Sequence, residues 1–91
     1  MDWELNERLK QQWTDKFVIV DDSRPELRRF QGIVGRVVTV NMNNRCIVDF
    51  QDGAWYDIHP DYLRICPDQE EARKKYDPKK NSAQPIPTRQ T

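Results

Sequence analysis

Three groups of side chains could do chemistry in this chain. Asp57, His59 and Asp61 alternate, a spacing that would set three metal-ligating groups on one face of a straight strand. Pro60 interrupts that strand, so the better reading is polar surface at a strand end, with no metal site. His59 lacks a Ser-plus-acid arrangement that would set it up as a base, and Cys46 falls in an apolar run. No nucleophile, base and oxyanion donor assemble, so an enzyme is not expected, and neither catalytic residues nor a cofactor are assigned. Cys46 and Cys66 are too few and too far apart for a zinc site, and their expected strands are not neighbours. They read as free thiols of a reducing compartment.

The second group is basic and the third aromatic. Arg24, Arg28, Arg29 and Arg36 could line one flank, where planar guanidinium groups suit carboxylates or phosphates. The competing reading pairs them with Asp21, Asp22 and Glu26 across the same loop. Trp55, Tyr56 and Tyr62 cannot all enter a small core, and interfaces are enriched in Trp, Tyr and Arg. The expected partner-binding face therefore combines Arg24, Arg28 and Arg29 with Trp55, Tyr56 and Tyr62. Its rival has Tyr56 and Ile58 facing inward and Trp55 lying flat on a neighbouring strand. Nucleic acid is the alternative ligand, with Arg36, Arg45 and the Lys-rich tail touching phosphates. Charge disfavours it: residues 1–16 carry −1, residues 17–66 carry −1 and residues 67–91 carry +2, a net of zero. Phosphate-backbone binders usually show a basic surplus.

The elements that must position these groups follow from periodicity. Leu5, Leu9 and Trp13 form one stripe of a short N-terminal helix over residues 3–13, capped by Asp2, which should lie on the body of the protein or on a partner. Residues 17–21 are β-branched and read as the first strand. In the loop that follows, Ser23 and Glu26 make a capping-box pattern, Pro25 suits a first turn, and Leu27 and Phe30 are apolar anchors. Residues 33–41 form a long strand of blurred alternation, expected to bend at Gly35. Residues 45–50 and 55–58 return as strands across turns at 42–44 and 51–54. A helical turn at 59–62 precedes a closing strand at 63–66. Asp68 can cap an exposed helix to about residue 76, and the tail beyond it, with Pro78, Pro85 and Pro87, is expected to be disordered.

These elements divide 91 residues into a helix at 1–15, one domain at 16–66 and a charged tail at 67–91. No run approaches the roughly 20 apolar residues of a membrane span, and the N-terminus has no secretory-signal pattern. A cytoplasmic protein is the expectation.

The strand order, the ordered loop after the first strand and the run Ile58-His-Pro-Asp-Tyr-Leu63 resemble the SH3-like barrel superfamily over residues 16 to 66. That resemblance implies an all-β fold, a small closed five-stranded barrel. It does not extend to polyproline binding, because Val20, Asp21 and Asp22 stand where an aromatic motif would be. The segment beginning Gly32-Ile-Val-Gly-Arg is similar to KOW-type barrels, which implies nucleic-acid or ribosome association. In size and strand pattern the chain also resembles small barrels that dock in redox complexes, such as the variable chain of ferredoxin–thioredoxin reductase and the stromal barrel subunit of photosystem I. The combined expectation is a non-catalytic protein-binding module or accessory subunit.

Overall fold

A computed structural model of the chain describes residues 3–21 and 24–83. Five short strands form one antiparallel sheet: β1 (Phe17–Val20), β2 (Gly35–Val40), β3 (Cys46–Asp49), β4 (Trp55–Ile58) and β5 (Leu63–Ile65), in the order β4-β3-β2-β1-β5. Helix α1 (Trp3–Trp13) precedes the sheet and α2 (Gln69–Ala83) follows it. One 3-10 helix, Pro25–Phe30, lies between β1 and β2, and another, Pro60–Tyr62, lies between β4 and β5. None of the helices is long and apolar enough to cross a membrane.

The expected closure into a barrel does not occur. β4 and β5 are the two edges of the sheet and share no ladder. β5 follows the Pro60–Tyr62 turn directly and is only three residues long. One of its edges pairs with β1, and the other offers too short a run to carry a ladder to β4. The concave face is covered instead by side chains from outside the sheet. Trp13 of α1 and Leu27 and Phe30 of the first 3-10 helix join Val18, Val37 and Val48 in the main core. Phe30 stacks nearly parallel on Phe50, with centroids 4.2 Å apart and planes 9° apart. The loop after β1 is thus held by both of its apolar anchors. Its N-cap position falls on Arg24, whose side chain makes no cap bond; Ser23 and Asp22 lie outside the described residues, as does Asp2.

α1 is rotated from the expected stripe. Leu5 is 37 % exposed, whereas Asn6 is 1 % exposed and shares the inward face with Leu9 and Trp13. A buried amide needs partners, and Asn6 Nδ2 donates to the Asn41 carbonyl at 2.9 Å and to Asn44 Oδ1 at 2.8 Å. The helix is pinned to the β2–β3 turn by a polar contact that hydrophobic spacing cannot show.

The blurred alternation of β2 also has a different cause from the expected bend. Val37 pairs with Val48 and Thr39 with Ile47, so Val38 is an extra residue, a β-bulge. Inward positions are Gly35 and Val37 before the bulge and Val40 after it. Gly35 has a separate role. A Cβ there would lie 2.8 Å from Phe50 Cδ1, Phe50 Cε1 and Val48 Cγ1. Only hydrogen leaves room for the Phe50 ring.

The opposite face of the sheet has a smaller core in which Ala72 and Tyr76 of α2 meet Val34, Phe17, Ile19 and Cys66. The expected exposed helix is therefore seated on the sheet, and it continues to Ala83. Two apolar residues suffice because Gln69 completes the attachment. Its Oε1 accepts the Phe17 N–H at 2.8 Å, and its Nε2 donates to the Phe17 and Cys66 carbonyls, each at 2.8 Å. Tyr76 adds a bond from its hydroxyl to Asp49 Oδ2 at 3.0 Å. Gln69→Ala leaves half-buried main-chain groups unpaired and should cost about 1–3 kcal/mol, read as a lower denaturant midpoint. The residues 84–91, including Pro85 and Pro87, lie outside the described residues.

Candidate binding cleft

Residues of the expected face divide into two clusters on either side of the first 3-10 helix. Arg24 leads into that helix, and its guanidinium lies 4.8 Å from the centroid of the Tyr62 ring. Nη1 donates to the Tyr62 hydroxyl at 3.2 Å, while Nε and Nη2 both donate to Glu26 Oε2, at 2.9 and 2.7 Å. Donating to Glu26 raises the Arg24 pKa, and Glu26 sits below the usual carboxylate range through its own backbone N–H and then Arg24. The Arg24–Glu26 pairing anticipated across the loop is present, and it holds the guanidinium over the ring.

The second cluster uses the other end of the same helix. Arg29 lies over Phe30 at 4.6 Å and over Tyr56 at 5.1 Å. The Tyr56 hydroxyl donates to Asp52 Oδ2 at 2.7 Å, a bond that raises the Tyr56 pKa and lowers that of Asp52. Tyr56 and Ile58 face the main core, as the rival reading of the aromatics had it. Trp55 does not join either cluster. It follows the opposite parity of β4 and is 62 % exposed. Arg28 is exposed and has no ion pair among the described residues.

Between the first 3-10 helix and β4 runs a cleft of about 260 Å³. Its lining comes from Arg24, Glu26 and Leu27 on one wall, Asp57, Ile58 and His59 on the other, and Arg45 and Tyr62 at its ends. Leu27 and Ile58 supply apolar surface; the rest is charged or aromatic. No family model, curated protein or solved structure gives a significant match to this chain. The reading of the cleft therefore rests on its own geometry.

The nucleic-acid pair is separated by the fold. Arg45 lines the cleft beside Arg24, whereas Arg36 reaches away to Asp15 Oδ1 at 2.8 Å. Of Asp57, His59 and Asp61, the last two meet: Asp61 Oδ2 lies 3.7 Å from His59 Nδ1, which accepts the Asp61 N–H at 3.0 Å and caps the second 3-10 helix. Among the described residues, no group of three His, Cys, Asp or Glu could hold a metal ion. Both cysteines are free. Burial pushes the Cys46 thiol up to about 12, so thiolate is scarce there at neutral pH. Sequence reasoning missed Leu27, Ile58, Asp57 and His59 as cleft walls. The signal was present in the apolar spacing of the loop, which was read only as an anchor.

Proposed function

We propose that the chain is a non-catalytic protein-binding module of the cytoplasm, built on an SH3-like sheet, whose recognition face is the cleft between the first 3-10 helix and β4. The observation that carries this reading is the placement of Arg24 on Tyr62, with Arg45 lining the same cleft and Arg29 held on Tyr56 at the other end of the 3-10 helix. Stacking holds a guanidinium in position at little further entropic cost while leaving N–H donors for a ligand. Such fixed, partly exposed cations suit carboxylates on a protein surface. Zero net charge and the diversion of Arg36 to Asp15 weigh against phosphate-backbone binding.

Affinity capture from native lysate tests the proposal, with wild type compared against Arg24→Ala plus Tyr62→Ala. A protein band should be lost in the variant and survive nuclease treatment. Raising salt from low to moderate should weaken it only modestly. Recovery of bulk RNA that collapses steeply with salt would overturn the reading.

A further inference from the structure

Among the described residues β4 is a terminal strand of the sheet, with β3 as its one ladder partner. The direction of its main-chain groups follows from register. The Asn41 N–H donates to the Arg45 carbonyl at 2.9 Å, so the Arg45 main chain turns toward β2. Alternation then turns Cys46 and Val48 toward β4, where they pair with Ile58 and Tyr56. The N–H and C=O groups of Trp55 and Asp57 are left pointing outward. Among the described residues, nothing accepts or donates to them.

Edges of this kind are usually blunted by Pro, Lys, a bulge or a covering element. β4 contains no Pro or Lys, and its register with β3 is continuous. Its covering element, the first 3-10 helix, is held off by the cleft described above. That gap meets the C-terminal end of the edge, where Asp57 and Ile58 belong to both.

We infer that the partner enters as an extended segment, hydrogen-bonded to Trp55 and Asp57 as a sixth strand, with a carboxylate directed at Arg45. This deepens the function proposed above and rests on it. Side chains of an added strand alternate between faces. One face would meet exposed Trp55 and the other Leu27 and Ile58, which suits β-branched or aromatic residues. Charge selects the rest of the segment. Arg24 already holds Glu26 and Asp57 sits on the edge itself, so the place for a ligand carboxylate is at Arg45, which has no ion pair among the described residues. This mode uses main-chain bonds for affinity and pockets for specificity. It excludes a proline-rich ligand, whose alternate N–H donors would be missing.

The test pans a displayed library of random dodecapeptides against the full chain. Peptides rich in Val, Ile, Phe, Asp and Glu and free of Pro should be enriched. In hydrogen exchange, the selected peptide should slow the Trp55 and Asp57 amides at least tenfold. N-methylation of the peptide should abolish binding at alternate residues and spare it at those between. Asp57→Pro removes an outward N–H that the fold does not use, so the fold should persist while affinity falls more than tenfold. If that variant unfolds, the N-methyl series decides alone. Proline-rich peptides, no enrichment, or protection of these amides by self-association without peptide would overturn the inference. Acidic peptides that need Arg24 and Arg45 yet leave both amides unprotected would sink strand addition alone and keep the Arg-aromatic face.

Discussion

Phe50→Ala should be strongly destabilising, shifting the urea midpoint far toward lower denaturant. Phe50 is 1 % exposed, stacks on Phe30 at 4.2 Å and sits over Gly35. Truncating a buried Phe costs about 3–5 kcal/mol through lost transfer energy and the cavity left behind. At about 0.05–0.15 kcal/mol per residue, a domain of this size has roughly 4–13 kcal/mol in total. The loss is therefore from about a quarter to all of its stability. It also removes the surface on which the first 3-10 helix rests, so the Arg24 and Arg29 clusters should disperse together. Circular dichroism with urea titration reads the first effect. Loss of the Trp55 and Tyr56 amide shifts from their native positions reads the second.

Gly35→Ala is the counterpart, an overfilled site instead of an emptied one. Three carbon atoms would stand 2.8 Å from the new methyl, and the ring that carries two of them cannot retreat because Phe30 lies behind it. Overpacking of this kind costs about 1–3 kcal/mol. The melting temperature should fall by about 5–20 °C, at roughly 4–8 °C per kcal/mol for a small domain. The mechanism predicts strong non-additivity. Combined with Phe50→Leu, which shortens the obstructing side chain, Gly35→Ala should cost markedly less than it does alone. Equal costs in the two backgrounds would mean that the clash with Phe50 is not the cause.

The sequence made the strands legible and the packing much less so. β1 and β3 are short runs rich in β-branched residues, and two turns rich in Asn, Asp and Gly separate β2, β3 and β4. Those are local signals. Closure of the sheet is a long-range property that depends on how far β5 extends, and three residues of strand do not announce their limit. The bulge at Val38 left a trace as disordered parity, but a bend at Gly35 gives the same trace. Asn6 and Gln69 were invisible for a shared reason: each is a polar residue used where hydrophobic periodicity looks for apolar ones. Residue type alone put Arg24, Arg28, Arg29, Trp55, Tyr56 and Tyr62 in one face, but not the pairing of Arg24 with Tyr62 and Arg29 with Tyr56. Trp55 is exposed on the opposite face of β4 from Tyr56, a separation set by strand parity that residue type does not show.

The surplus residue in β2 gives this fold an unusual tolerance of length. Removing one amino acid from an ordinary strand inverts every side chain beyond the lesion. Here, omitting Val38 would put Thr39 opposite Ile47 in an uninterrupted ladder and keep Gly35, Val37 and Val40 on their present side. A shortened chain would thus preserve the same interior and sacrifice only local curvature, making this one point where the polypeptide can lose a codon without turning itself inside out.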